Sequence, residues 1–126
     1  MDYEVPEDLK YTENHEWYDP QSGWMGITDY AQEQLGDVVF VELPATDEPV
    51  EAGQDFMVVE SMKTVSDVYA PVDGKVVELN EELESAPEAV NDAPYEAGRL
   101  VRLEAEDGEA ELLSAGVYLD FLETED

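Results

Sequence analysis

Apolar residues along the chain fall into short runs that are separated by turn-forming residues. The run 37–43 (DVVFVEL) is so rich in β-branched and aromatic residues that we expect a strand buried on nearly both faces. Many short strands with turns between them are typical of a small all-β barrel or sandwich. The segment 9–18 is expected to be a strand or an extended segment, and the predicted strands after it are 24–28, 37–43, 55–60, 65–69, 75–80 and 99–104.

Helices are expected to be few and short. Asp29 is a favourable N-cap, residues 30–35 can form a helix, and Gly36 is a natural C-terminal stop. Ser85 is a candidate cap for one helical turn at 87–91. The last residues, 105–126, contain no basic residue but keep an apolar side, which predicts one or two short helices docked on the barrel.

The size of the chain limits it to one compact domain. It has 126 residues, of which 43% are apolar, enough for one core. No run of about 18 apolar residues is present, so we expect no membrane span. The first residues are acidic and lack an apolar segment typical of secretory signals, which makes a cytoplasmic location the default expectation.

The charge of the chain is extreme. There are 34 acidic residues against 5 basic ones, a formal net charge of -29. Such a chain repels nucleic acid and anionic membranes. Two explanations are open: disorder, or a folded protein adapted to very high salt, where the repulsion is screened. The patterned apolar runs and 10% aromatic residues favour the halophilic protein.

Candidate catalytic and metal-binding residues are scarce. The chain has no cysteine and a single histidine, His15. A Ser-His-Asp triad would have to use that histidine, and a zinc site normally needs several nitrogen or sulfur ligands. The carboxylates form no calcium-loop pattern. We therefore predict neither a catalytic residue nor a metal site.

Lys63 stands out among the three lysines because it lies at the break between two apolar runs. Gly53 lies ten residues before it and Gly74 eleven after it, with Pro71 nearby. This spacing predicts a tight hairpin with Lys63 at its tip and with Gly53, Pro71 and Gly74 shaping the flanking turns. An exposed amine on a rigid turn suits covalent attachment of a cofactor arm, which removes the lysine charge. A solvated turn lysine is the alternative.

The segment around Lys63 resembles the lipoyl-attachment segment of glycine cleavage system H proteins. The similar blocks lie at 9–11 with 15–17, 26–32, 35–44, 60–74 and 90–95. Met62 and Thr64 depart from the family pattern, and Met-Lys is similar to biotinyl domains, which share the hammerhead fold. Biotinyl domains lack the other blocks. The alternatives are a biotinyl carrier, a relay that passes lipoyl groups to other enzymes, and an interaction domain without cofactor.

The resemblance implies a mainly β fold, a lipoyl/biotinyl-type hammerhead β-barrel-sandwich with short helices. The single domain would span 1–126, with a lipoyl-domain core at about 22–104 and a helical acidic tail at about 105–126. It also implies that lipoate is joined to Lys63 in amide linkage. The protein would be a monomeric carrier and not itself a catalyst.

The resemblance further implies partners and supporting residues. The partners would be a pyridoxal-phosphate glycine decarboxylase, a tetrahydrofolate-dependent aminomethyltransferase, dihydrolipoamide dehydrogenase and lipoate-attaching enzymes. Glu16, Asp67 and Asn14 would form a cleft that holds the aminomethyl amine of the loaded arm. Glu60 and Ser61 would help the attaching enzyme to recognise the turn.

Overall fold

The computed structural model describes residues 3–107 and 112–125. The elements in chain order are β1 (Lys10–Tyr11), β2 (Glu16–Tyr18), β3 (Trp24–Ile27), α1 (Asp29–Leu35), β4 (Val38–Glu42), β5 (Pro49–Val50), β6 (Asp55–Ser61), β7 (Val65–Tyr69), β8 (Asp73–Leu79), a 3-10 helix (Glu81–Glu84), α2 (Ala89–Asp92), β9 (Val101–Asp107) and α3 (Ala115–Glu125).

The strands form two antiparallel sheets. One has the order β1-β2-β3-β9-β8-β5 and the other the order β4-β6-β7. Their facing sides bury the main core, to which Met25 and Val76 of the larger sheet and Val59 and Val68 of the smaller sheet contribute. The predicted mainly β fold with short helices is therefore confirmed. None of the described helices is both long and apolar enough to cross a membrane.

A second buried cluster attaches the C-terminal helix to the first strands. The rings of Tyr11 in β1 and Tyr118 in α3 stack with centroids 4.7 Å apart. Tyr11 and Leu113 also exchange two backbone hydrogen bonds, of 2.8 and 2.7 Å. The predicted docked helix is α3, and residues 108–111 and 126 of the predicted tail lie outside the described residues.

Several predicted strands differ from the observed ones. The run 9–18 forms two strands, β1 and β2, because the backbone turns at 12–15, where His15 has φ +69°. Strand β4 is not buried on both faces: Val39 is 50% and Phe40 48% exposed. It lies at the edge of the smaller sheet, and its register with β6 shifts between Val38 and Phe40. Strand β5 was not predicted at all.

The larger sheet extends beyond the predicted core of residues 22–104 on both sides. Strands β1 and β2 precede residue 22, and β9 continues to Asp107. The last strand therefore occupies 101–107 instead of the predicted 99–104, and three residues assigned to the helical tail belong to the sheet.

Two predicted helix caps are wrong. The N-cap of α1 is Thr28, whose hydroxyl accepts a hydrogen bond from the Ala31 backbone N–H at 3.2 Å, and Asp29 is the first helical residue. Ser85 does not cap α2, because its hydroxyl donates to the Glu82 carbonyl oxygen at 3.3 Å. Gly36 ends α1 as predicted, with φ +80°.

The structure places Gly74 in a strand instead of a turn. It lies in β8, between Val50 of β5 and Ala105 of β9, at a shift in register. A Cβ at this position would collide with the Glu104 carbonyl oxygen, so glycine is required for the close approach of the strands. Gly53 does lie in a turn, with φ +87°, and Pro71 lies in the bend between β7 and β8.

Candidate functional site

Lys63 lies on the exposed turn that joins β6 to β7. Ser61, the last residue of β6, closes this turn from inside. Its backbone N–H donates to the Thr64 carbonyl oxygen at 2.8 Å, and its hydroxyl oxygen accepts from the backbone N–H groups of Thr64 at 3.1 Å and Lys63 at 3.3 Å. A buried serine thus fixes the backbone while the lysine side chain stays in solvent.

A second contact fixes the turn from outside. The Met62 backbone N–H donates to the Asp37 carbonyl oxygen at 2.9 Å, which ties the tip to the segment between α1 and β4. The aliphatic part of Lys63 lies over Gly36, because a Cβ added there would be 3.4 Å from the lysine Cε. The lysine stem therefore passes beside Gly36, at a distance that ordinary van der Waals contact with a Cβ would allow.

A cleft of about 390 Å³ opens beside the turn. One wall is β7 with the residue that precedes it, the other is α1, and the β1–β2 turn closes one end. The residues from the turn side of the cleft are Thr64, Val65, Ser66, Asp67 and Val68, and those facing them include Asn14, His15, Glu16, Tyr30, Ala31 and Leu35.

The three residues predicted to form a cleft line this same cavity. Asn14 and Asp67 are exposed, whereas Glu16 is only 2% exposed. Their joint placement arises because β2 of the larger sheet and β7 of the smaller sheet meet at this point. Their role toward an amine stays a prediction.

Glu16 connects the β1–β2 turn, at the end of the cleft, to the wall formed by β7. One carboxylate oxygen accepts from the Thr12 hydroxyl at 2.6 Å, and the other accepts from the Tyr69 backbone N–H at 3.0 Å. Burial disfavours the charged form and raises the pKa of Glu16 to about 7, although both hydrogen bonds act in the opposite direction. Glu16 is therefore a structural bridge as well as a cleft residue.

The side chains of His15 and Tyr118 were not predicted as part of the site. His15 Nδ1 lies 2.8 Å from the Tyr118 hydroxyl, and the same hydroxyl lies 2.8 Å from the Thr28 side-chain oxygen. His15 also packs on the ring of Tyr30, with centroids 4.6 Å apart. Helix α3 thus braces residues of the cleft through contacts between positions 90 and 103 residues apart, which no local sequence signal carries.

The remaining predicted residues are arranged around the attachment turn and the next bend. Glu60 is half-buried in β6, paired with Val65 of β7. Gly53 and Pro71 line a second hollow of about 420 Å³ on the far side of Glu16, together with Ala70. Within residues 3–107 and 112–125, no group of three or more metal-ligating side chains is found.

Comparison with known proteins gives one consistent result. A family model described as "Glycine cleavage H-protein" matches residues 9–125. A glycine cleavage system H protein of Staphylococcus epidermidis is 50% identical over 122 residues, covering 94% of this chain and 97% of that protein. One of Deinococcus deserti is 54% identical over 114 residues, covering 90% of this chain and 94% of that protein.

Solved structures support the same relation. The crystal structure of a glycine cleavage system H protein from Mycobacterium marinum superposes with a TM-score of 0.80 at 40% sequence identity. The match covers 92% of this chain and 97% of the other. The likeness therefore extends over both sheets and is not confined to the segment around Lys63.

Proposed function

The chain belongs to the glycine cleavage H-protein family, and from this premise we propose that Lys63 carries lipoate in amide linkage. The protein is a carrier of the glycine cleavage system that conveys the aminomethyl group from the glycine decarboxylase to the aminomethyltransferase. When bound, lipoate supplies the disulfide that accepts this group and the dithiol that is later reoxidised.

The observation that carries the proposal is the placement of Lys63. Its side chain is exposed, and its stem lies beside Gly36. Ser61 holds its backbone N–H, and the Asp37 carbonyl oxygen holds that of the preceding Met62. An attaching enzyme can approach such an amine without unfolding the turn. The adjacent cleft begins at Thr64, the next residue, so an arm on Lys63 has a surface to return to.

The exposed and buried residues of the cleft have different proposed roles. Asp67 is exposed and offers a carboxylate to a cationic amine, and Asn14 offers an amide beside it. Glu16 holds the Tyr69 backbone and the Thr12 hydroxyl, which keeps the β1–β2 turn against β7. Tyr30, Leu35 and Val68 add apolar surface to the lining, which would exclude water from an arm bound there.

The partners in this proposal are the pyridoxal-phosphate glycine decarboxylase, the tetrahydrofolate-dependent aminomethyltransferase, dihydrolipoamide dehydrogenase and a lipoate-attaching enzyme. The chain itself would be non-catalytic. Its monomeric state and cytoplasmic location, expected from the sequence, stay predictions. The biotinyl and relay alternatives are not favoured, because the relatives and the family model described above all carry the H-protein name.

Intact-mass measurement with peptide mapping of protein from its native cell tests the proposal. We expect the mass increase of one lipoyl amide, located on Lys63. Lys63→Ala should lose it, whereas Lys75→Ala should keep it, since Lys75 is an exposed lysine within β8 and not on a turn. A biotinyl mass, an unmodified Lys63, or a lipoyl group retained in Lys63→Ala would refute it.

Asp67→Asn tests the cleft with the purified partner enzymes. Loss of the charge should lower the rate of glycine decarboxylation roughly tenfold, the effect expected when a charge-assisted hydrogen bond is lost. Glu42→Gln is the control, because Glu42 is an exposed carboxylate on β4 of the same sheet and does not line the cleft. Equal rates for the two variants would remove Asp67 from the proposed site.

A further inference from the structure

Asn91 in α2 uses its whole side-chain amide to hold the segment between α1 and β4. Its Nδ2 group donates to the Gly36 carbonyl oxygen at 2.9 Å and to Gln32 Oε1 at 3.0 Å. Its Oδ1 atom accepts from the Val38 backbone N–H at 2.8 Å. One half-buried residue therefore forms hydrogen bonds with backbone groups on both sides of Asp37, which lies more than 50 positions away in sequence.

The segment that Asn91 holds is the one that contacts the attachment turn. The Asp37 carbonyl oxygen, between the two backbone groups bonded to Asn91, accepts from the Met62 N–H at 2.9 Å. The stem of Lys63 passes beside Gly36. Two successive contacts thus lead from the Asn91 amide to the lysine: first to the Gly36–Val38 backbone, then to Met62 and Lys63.

We propose that Asn91 is a positioning residue for the attachment turn, one that sets the presentation of Lys63 to the lipoate-attaching enzyme by fixing the backbone of Gly36 and Val38. This inference rests on the proposed function of Lys63. Ser61 fixes the turn only within the β6–β7 hairpin, whereas the contact through Asp37 continues the β4–β6 pairing to the tip and joins it to the segment after α1.

Asn91→Asp removes the two donated hydrogen bonds and keeps the size of the side chain. The new carboxylate would face the Gly36 carbonyl oxygen and Gln32 Oε1, which are both acceptors. Rotation of the Gln32 amide does not repair the contact without cost, because its Nε2 group already donates to Asp29 at 2.8 Å. The Gly36–Val38 segment should then shift, and the Met62 contact should weaken.

Asn80→Asp is the matched control. Asn80 is buried, and its Nδ2 group also donates two hydrogen bonds, here both to backbone carbonyls, those of Ala97 at 2.8 Å and Arg99 at 2.7 Å. These partners lie next to β9 and are not among the groups that hold the attachment turn. Each variant therefore loses two hydrogen bonds donated by an asparagine Nδ2 group. Asn91→Asp loses them beside the attachment turn, and Asn80→Asp loses them elsewhere.

The first measurement is lipoylation of the unmodified full-length chain by a lipoate–protein ligase with ATP and lipoate, at a temperature where every variant is folded. Asn91→Asp should lower kcat/KM for the carrier roughly tenfold, as expected for a misplaced reacting group. Asn80→Asp should stay within about twofold of the parent chain, even where its Tm falls, because its partners Ala97 and Arg99 do not hold the attachment turn. Equal losses in the two variants would overturn the proposal.

The second measurement is hydrogen exchange at the Met62 backbone N–H. Asn91→Asp should reduce its protection about tenfold, while the Val76 N–H, bonded to the Glu48 carbonyl oxygen at 2.9 Å, keeps its protection. Unchanged Met62 protection would overturn the proposal. If Asn91→Asp does not fold, Asn91→Ala is measured in the same way. Failure of the parent chain to accept lipoate refutes the proposed function, and Met62 exchange still decides the role of Asn91.

Discussion

The ionisation of Glu16 is linked to folding. In the unfolded chain its carboxyl has an ordinary pKa of 4.5, and burial raises the pKa to about 7 in the folded protein. Between these values the folded state retains a proton that the unfolded state has lost. The contribution of Glu16 protonation to stability is therefore fully present below pH 4.5 and is lost as the pH rises through about 7.

Glu16→Gln should remove this pH dependence. The free energy of unfolding of the parent chain, relative to the variant, should fall by on the order of 3 kcal/mol as the pH rises from about 5 to about 8. Denaturant titrations of both proteins at constant high salt measure the difference, in which the contributions of the other carboxylates cancel. Parallel stability curves would show that Glu16 titrates at an ordinary pKa in the folded chain.

At the scale of single residues, sequence reasoning is strongest where the signal is local. The exposed turn of Lys63 follows from a break between two apolar runs. The burial of Glu16 and the contacts of Asn91 depend on partners 53 and more residues away, and no local pattern carries that information. Family resemblance brought Glu16, Asp67 and Asn14 together, but it did not indicate that both oxygens of Glu16 are occupied.

At the scale of elements, substitutions of two glycines distinguish the cost of a steric clash between strands from the cost of an unfavourable backbone conformation. Gly74→Ala should destabilise the protein by about 3 kcal/mol, since the new methyl group meets the Glu104 carbonyl oxygen of β9. Gly53→Ala should cost only about 1 kcal/mol, because its φ of +87° is unfavourable for alanine but nothing lies within 4 Å of the new Cβ. Denaturant unfolding measures the loss of unfolding free energy in both variants. A larger loss in Gly53→Ala than in Gly74→Ala would contradict the close approach of β8 and β9.

The attachment of α3 to the cleft gives a second prediction at this scale. Tyr118→Phe keeps the ring stacked on Tyr11 but removes the hydroxyl that contacts His15 and Thr28. We expect a loss of about 1–2 kcal/mol and a change in the NMR signals of the His15 ring. Tyr11→Phe is the control, because its hydroxyl donates to the Pro6 carbonyl oxygen and not to the cleft. Equal changes at His15 would contradict the bracing role of α3.

The positions of elements with strong apolar patterns were predicted well, but the burial of their faces was not. Strands β6 and β7 and the helix end at Gly36 lie close to their expected positions. The pattern of β4 indicated burial on both faces, yet this strand is at a sheet edge with Val39 and Phe40 exposed. The identity of neighbouring strands decides burial, and β5 shows the converse, since two residues became a strand only by pairing with β8.

At the scale of the whole molecule, the excess of carboxylates should produce strong self-repulsion. The net charge of -29 is spread over a chain with only 5 basic residues, one of which, Arg102, pairs with Glu78 at 2.9 Å across β9 and β8. That pair is exposed and therefore contributes little. Opposite charges within the chain are too few to neutralise the carboxylates, so we expect stability to depend on the salt concentration.

Salt should therefore stabilise the fold strongly. At 1 M salt the Debye length is about 3 Å, compared with about 10 Å at 0.1 M, so repulsion between surface carboxylates is nearly abolished. We expect Tm to rise continuously from about 0.1 M to above 1 M KCl and the chain to expand or unfold at the lowest salt. Scattering and thermal unfolding followed by circular dichroism measure both effects, and sucrose at matched osmolality is the control for general solute exclusion. A Tm that rises equally in sucrose, or that does not change with salt, would contradict adaptation to high salt. Burial of the core between the two sheets would then be sufficient to stabilise the fold against the repulsion.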